Sequence, residues 1–349
     1  AALYEKRFEF TEETEKNVTR SDIARAAGVS VGTVSNVLNN TAVVKEDLRQ
    51  KVLKTVKELH YVQNYTAKSL ASKNNHHIGV AVYEMSNPYH VEVVRGIEEY
   101  ATQNGYIVSI FMLDNNMDKK LDAVCQRKLS GLVNFMTNEY PATFLDILRK
   151  QGTLLVNFGT EQGIRAYVDY ADAIKEYCRT LYTLGHRDIG YLYYGDRPRF
   201  LADNRGRAFY EARKELGLTE NDDYILFGNN SSENSEVLGY ESVKRLMRAH
   251  PEVTALFCTN DMAAVGAMRG LREMGLRVPE DVSVIGCDDI WLAEFFSPSL
   301  SSISHDKREM GRRIAKAIID SIREKTISED VIWFQAKAVM RDSLGRARS

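Results

Sequence analysis

TRSDIARAAGVSVGTVSNVLN, residues 19–39, decides the reading of this 349-residue chain. Thr19 followed three positions later by Asp22 is a helix-start pattern. Ile23, Ala24, Ala26 and Ala27 supply an apolar face, and Gly28 ends the helix. Ser30 can cap a second helix, Val31 to Leu38, with Val34, Val37 and Leu38 on one side. Two short helices joined by a tight, glycine-containing turn spell a helix-turn-helix. A third helix, about Glu46 to Leu59, places Leu48, Val52, Val56 and Leu59 at helical spacing to close a small core.

Charge supports the same division. Residues 18–76 carry nine Lys/Arg against four Asp/Glu, whereas residues 1–17 carry three against five and the whole chain is at −2. A basic module on a mildly acidic body points to a polyanion meeting the module alone. Composition is that of a soluble globular protein, 44% hydrophobic and 27% charged, which excludes a disordered or collagenous chain. No apolar run reaches the ~18 residues of a membrane span, and Ala1–Lys16 lacks the apolar core of a signal peptide. The expectation is a cytoplasmic protein with no membrane partner. Cys125, Cys178, Cys258 and Cys287 are widely spaced and read as buried thiols, neither a disulfide framework nor a zinc site.

The run at Asp22–Asn39, Arg49-x-Lys51-Val52 and the L-x-Y-x-x-N segment at Leu59–Asn64 resemble the DNA-binding domain of the LacI–GalR family of bacterial repressors. The resemblance continues through SNPYHVEVVRGIE at Ser86–Glu98, LGHRDIGYL at Leu184–Leu192 and the long string Ala255–Asp289. It implies a sequence-specific, DNA-binding regulator, a homodimer on duplex operator DNA, and not an enzyme. In a helix-turn-helix the second helix enters the major groove and its first side chains reach base edges. Val31, Gly32 and Asn36 are the positions assigned to base reading. Thr19, Ser30, Thr33 and Ser35 are assigned to phosphates, which position the protein without reading sequence. Relatives often carry Arg at the position of Asn36; Asn favours adenine, worth about 1–3 kcal/mol against the wrong base. Lys45 stands where the family usually caps the third helix with Ser or Thr.

Residues 63–76 read as hinge and linker, with Lys73, Asn74, Asn75, His76 and His77 forming a polar linker. By the resemblance, the hinge folds on operator DNA and inserts a leucine into the minor groove. Leu70 matches that wedge, and Asn64, Ala67 and Lys68 match its neighbours. Residues 1–17 are an extension to which no fold is assigned.

From Ile78 onward, short apolar strands alternate with amphipathic helices, which predicts parallel sheets covered on both faces. The expected fold is α/β: an all-α head, residues 18–62, and two Rossmann-like subdomains of the periplasmic-binding-protein-like type. Subdomain one takes about 77–184 plus 305–328, and subdomain two about 185–304 plus 329–349. No Gly-x-Gly-x-x-Gly or P-loop string occurs, and no cofactor or metal is expected. By motif position Arg205, Asn260 and Asp288 contact an effector in the cleft, with Tyr89 and His90 as a wall and Asp169 as a further candidate. A bidentate Arg opposite Asn and Asp suits adjacent hydroxyls, hence a sugar or sugar derivative. Asp261 reads as a helix cap. The Gly228-Asn229-Asn230 segment lacks the aromatic that many relatives place there. Val93, Val94, Ile97 and Tyr100 form a stripe shared between core and dimer face. Two other classes remain: a sugar-binding protein without a DNA role, against which the head stands, and a hydrolase using Asp169, Asp288 and Asp289, for which no nucleophile–base string occurs.

Overall fold

The computed structural model describes residues 18–39, 42–61, 75–83, 85–113, 117–135, 140–158, 162–228 and 234–348. The chain divides into two compact units, residues 1–74 and 75–349.

In the first unit, α1 (Arg20–Ala27) opens with a complete capping box. The Thr19 hydroxyl accepts from the Asp22 N–H, and the Asp22 carboxylate accepts from the Thr19 N–H at 2.9 Å. Gly28 then takes φ +64° and its N–H bonds the Ala24 carbonyl, so the helix stops where the sequence predicts. The second helix, α2, spans Val31–Asn39, and α3 spans Glu46–Glu58. Ile23, Ala24, Ala27, Val34, Val37 and Val52 bury each other between the three. Lys45 makes no side-chain cap at α3, and Glu46 and Asp47 in the first turn meet the helix's positive end instead.

The second unit holds two lobes, each built on a six-stranded sheet among the described residues. The first sheet runs β11-β5-β4-β3-β1-β2 and the second β12-β10-β9-β8-β6-β7. The strands are β1 (His77–Val82), β2 (Ile107–Met112), β3 (Gly131–Asn134), β4 (Leu154–Asn157), β5 (Ile164–Asp169), β6 (Ile189–Tyr194), β7 (Ile225–Gly228), β8 (Ala255–Cys258), β9 (Ser283–Cys287), β10 (Ser301–Ser304), β11 (Val331–Gln335) and β12 (Lys337–Val339). All neighbours pair in parallel except β10 with β12. Each sheet therefore reverses its order beside its first strand, and in such sheets ligands sit beyond the carboxyl ends of the strands.

Helices cover the sheets as the alternation predicts: α4 (Pro88–Gln103), α5 (Met117–Gln126), α6 (Ala142–Gln151), α7 (Ala171–Thr183), α8 (Arg197–Ala202), α9 (Asn204–Leu216), α10 (Ser235–Ala249), α11 (Asp261–Glu273) and α12 (Lys307–Glu324). The chain crosses between lobes three times: before β6, between β10 and α12, and between β11 and β12.

The third crossing corrects the sequence expectation. It lies at Ala336 and not near 328, because β11 pairs along its length with β5 of the first lobe. Ile332 is fully buried there, and Trp333 packs edge-on against Tyr167 at 4.4 Å. His77 is likewise a strand residue and not linker: it opens β1, with Nε2 2.8 Å from the Ser109 hydroxyl. Burial, then the charge of Arg127, lowers its pKa. Val93 and Ile97 are fully buried within their own lobe, while Val94 and Tyr100 pack against the same core. That stripe is core within one chain and leaves no dimer face at Val93 or Ile97.

Candidate functional site

In the first unit, most polar groups assigned to DNA already have local partners. The Thr19 hydroxyl is also bonded to Asp22, at 2.6 Å, and Ser30 caps α2 by accepting from the Thr33 N–H at 3.0 Å. The Thr33 and Ser30 hydroxyls lie 2.9 Å apart. Ser35 accepts from Arg20 at 3.2 Å, which ties α2 to α1. Val31 is 45% exposed and Gly32 is open, whereas Val34 and Val37 face the core and Asn36 is half-buried. The first turn of α2 thus presents a small, accessible surface on a packed base. Asn64, Ala67, Lys68 and Leu70 lie outside the described residues, as do Asn229, Asn230 and residues 1–17.

The cleft of the second unit is built at the carboxyl ends of β1, β3, β4, β8 and β9. After β1, Asn87 caps α4, its side-chain oxygen accepting from the Tyr89 N–H at 3.0 Å. The same Asn87 side chain hydrogen-bonds Asp288, which follows β9 in the other lobe. One buried asparagine therefore spans the two lobes. A second tie is Asn204, whose amide donates to the Tyr167 hydroxyl at 2.7 Å and the Val168 carbonyl at 2.8 Å.

Asp288 is held in an unusual backbone conformation, φ +105°, followed by Asp289 at +49°. An aspartate with such a φ stores strain that its surroundings must overcome. The Asp288 N–H bonds the Ile303 carbonyl at 2.9 Å, and Lys307 binds the carbonyls of both Asp288 and Asp289. Asp289 also pairs with Arg341 at 2.7 Å. So framed, the Asp288 carboxyl is buried, and burial pushes its pKa up to about 7 against the pull of Arg205, Lys307 and the Asn87 hydrogen bond.

Arg205 opens α9 facing Asp288. Its Nε and Nη2 grip Asp203 at 3.0 and 2.6 Å, and Nη1 donates to the Thr259 carbonyl at 3.2 Å. Its guanidinium lies 5.1 Å from the Tyr170 ring and 5.7 Å from that of Tyr193. Burial works to raise the Asp203 carboxyl, but the Arg205 charge and hydrogen bonds hold it below its usual range. Arg205 is thereby fixed in orientation and its charge locally balanced.

Aromatic rings form the rest of the wall. Tyr89 stands edge-on to His90 at 5.7 Å and to Phe135 at 6.4 Å, and Phe135 stacks on Phe158 at 4.5 Å. The stack follows from a repeated Val-Asn-Phe at 133–135 and 156–158. Asn134 and Asn157 are opposite each other in β3 and β4 and bond side chain to side chain at 2.6 Å, which sets the two rings in register. His305, on the second crossing, meets Tyr89 at 5.6 Å and Tyr170 at 6.2 Å. Burial, reinforced by Lys307, lowers its pKa to about 4, so its imidazole is neutral near pH 7.

The structure brings Tyr89, His90, Arg205 and Asp288 together. The helix cap expected at Asp261 is supplied by Asn260, and Asp261 is instead an internal tie within its lobe. Asn260 is the cap of α11, its oxygen accepting from the Ala263 N–H at 2.8 Å while its amide donates to Ser235 at 3.1 Å. Asp261, fully buried, accepts from the Ile290 N–H at 2.7 Å and the Ser302 hydroxyl at 2.6 Å. Asp169, just before the Tyr170 cap position of α7, accepts from the Ala171 N–H at 2.9 Å. Asn87, Asp203, Phe135, Phe158 and His305 were not singled out from sequence. The two Val-Asn-Phe repeats and the Asn-Pro at 87–88 are the signals that were available.

Residues 19–64 match the family described as bacterial regulatory proteins, lacI family, and residues 178–344 match a periplasmic binding protein-like domain. The chain is 32% identical over 334 residues to the HTH-type transcriptional repressor PurR of Pasteurella multocida (strain Pm70), covering 93% of this chain and 98% of that one. It is 34% identical over 316 residues to the PurR of Haemophilus influenzae (strain ATCC 51907 / DSM 11121 / KW20 / Rd), covering 88% and 92%. Among solved structures, the Lac repressor bound to ONPG in the repressed state superposes with a TM-score of 0.75 at 25% identity, over 94% of this chain and all of that one. With the helix-turn-helix and the two-lobed body both matched, the chain belongs to the lacI family of bacterial regulatory proteins.

Proposed function

We propose that this protein is a transcriptional repressor that binds duplex operator DNA as a homodimer, in the cytoplasm, under the control of a small polar effector of the sugar class. One observation carries the reading: a single chain joins a helix-turn-helix with an accessible recognition-helix start to a cleft in which Arg205 and Asp288 converge. A two-fold dimer fits an operator of two half-sites. Val31, Gly32 and Asn36 read bases, while Thr19, Ser30, Thr33 and Ser35 with the hinge residues Asn64, Ala67 and Lys68 bear on the backbone and Leu70 wedges the minor groove. Effector and operator are coupled to the extent that the effector binds the DNA-bound and free states unequally.

Tyr89, His90, Phe135 and Phe158 offer ring faces and edges to the carbon side of a sugar, and Asp288 accepts from its hydroxyls. Asn260 and Asp169 bear on the effector through the helix starts they hydrogen-bond. An electrophoretic shift with the DNA upstream of the protein's own gene, with and without pentoses, hexoses and disaccharides, tests the whole reading. Sequence-specific retardation changed by a sugar is expected; no preference over random duplex at moderate salt refutes it. In selection from a random pool, Asn36→Arg moves the preferred base from adenine towards guanine, by about 1–3 kcal/mol. An unchanged preference removes Asn36 from base reading.

Asp288 makes the site sensitive to pH. Its native pKa, about 7, lies well above the ordinary carboxylate range, so the folded protein holds a proton that the unfolded chain releases. The contribution of Asp288 to stability therefore falls as pH rises through that interval. A hydroxyl donor favours the carboxylate, so binding expels the proton and affinity climbs until pH reaches about 7. Calorimetry in two buffers of different ionisation enthalpy is expected to show proton release below that pH. Buffer-independent heats would contradict it.

A further inference from the structure

His305 is only 5% exposed, yet neither of its ring nitrogens has a hydrogen-bond partner among the described residues. Buried polar groups are paired in nearly all native structures, and one without a protein partner calls for a reason. Its position supplies one. His305 sits on the crossing from β10 to α12, between the lobes, and its ring meets Tyr89 and Tyr170 edge-on. Tyr89 also feels the charge of Asp288, and Tyr170 lies beside Arg205. The imidazole is therefore part of the same cluster as the two charged groups of the cleft.

The cluster also defines the charge of what it receives. Arg205 is balanced by Asp203, and Lys307 is spent on the carbonyls of Asp288 and Asp289. An anionic group buried here would find no uncommitted positive charge at Arg205 or Lys307 to offset it, and it would add to the burial that already disfavours the Asp288 carboxylate.

We propose that His305 hydrogen-bonds the effector through an imidazole nitrogen, and that the effector is an uncharged polyhydroxy compound and not a phosphate ester or carboxylate. The inference rests on the effector reading of the cleft and adds to it a contact residue and a charge class. A neutral imidazole can donate from one nitrogen or accept at the other, and a hydroxyl satisfies either. Because the contact lies on a crossing between lobes, the effector touches the segment whose path changes when the lobes rotate.

The experiment uses the full chain and thermal shift against ribose, glucose, lactose and cellobiose, with ribose 5-phosphate and glucose 6-phosphate as charged counterparts. For a neutral sugar that shifts the wild type, His305→Leu is expected to weaken binding at least about tenfold, the ratio equivalent to ~1.4 kcal/mol. Since no protein hydrogen bond is lost, its ligand-free midpoint stays near that of the wild type. His305→Gln, which keeps a donor and an acceptor, retains most of the affinity. If His305→Leu binds the sugar as well as the wild type, His305 is not a contact and the effector reading survives. If His305→Leu fails to fold, the ¹⁵N signals of the wild-type imidazole decide: movement on saturation with the sugar supports the contact, and constancy overturns it. A response to the phosphate esters alone overturns the charge class. A wild type that responds to none of the six compounds overturns the sugar reading itself.

Discussion

Arg205→Ala is expected to abolish the effector-induced thermal shift and to cost up to about 3 kcal/mol of stability, the low end of the range for breaking a buried ion pair by removing one partner, because Arg205 and Asp203 are only partly buried. The stability loss arises from Asp203, which keeps its charge and its hydrogen bond from Tyr193 at 3.0 Å but loses its guanidinium fork. The carboxyl of Asp203 is held below its ordinary range in the native state. Its contribution is therefore present above the unfolded pKa and lost as pH falls through the native one. The difference between wild type and Arg205→Ala narrows in acid. Adding Asp203→Asn to Arg205→Ala removes the stranded charge while keeping an oxygen to accept from the Arg205-position N–H at the start of α9. The double variant recovers much of the thermal midpoint but none of the effector response. An effector response that survives Arg205→Ala would remove Arg205 from the binding site.

The second large effect is Gly266→Val. A Cβ at Gly266 would lie 1.8 Å from the Glu236 carbonyl oxygen and 2.9 Å from the Tyr240 nitrogen, both backbone atoms of α10. The relation is reciprocal, because a Cβ at Gly239 would meet the Ala263 carbonyl oxygen of α11 at 2.0 Å. The two helices touch backbone to backbone, so no rotamer change makes room and the helices must separate. Overpacking of this kind costs about 3 kcal/mol, which in a body of this size lowers the midpoint by roughly 6–12 °C. Circular dichroism on heating measures it. A drop under about 1 °C would mean that the helices part without loss.

The head was legible almost residue by residue, because capping box, turn glycine and apolar spacing all agree over a short span. In the body, the strands whose apolar runs are continuous, such as β1, β6 and β8, could be read as strands. The β10 strand could not: Ser301–Ser304 has no apolar run, yet all four residues are buried. Its serines stay inside because Ser302 donates to Asp261 at 2.6 Å and Ser301 to the Arg341 carbonyl at 3.1 Å. Those partners are 40 residues or more away in sequence, and hydropathy carries no trace of them. The β11 and β12 strands escaped for a related reason. They are short edge strands from one continuous segment, and only pairing shows that they belong to different lobes. Motif position points to Arg205 and Asp288, which the fold brings into one cluster, but it gives the cap of α11 to Asp261 when Asn260 holds it, since either side chain can cap a helix. The choice is made by Ser302 and Ile290, far along the chain. His305 carries no local pattern, and its meaning comes from the two tyrosines around it.

Three crossings between lobes mean that neither lobe corresponds to a continuous stretch of gene. A premature stop after residue 304 would delete α12 and β11 from one half and β12 from the other. Both halves would lose an edge of their sheet at once, so nonsense changes late in the reading frame should leave no surviving fragment able to hold metabolite. The same interleaving lets a single backbone cut at any one crossing leave the two halves tethered by the other two.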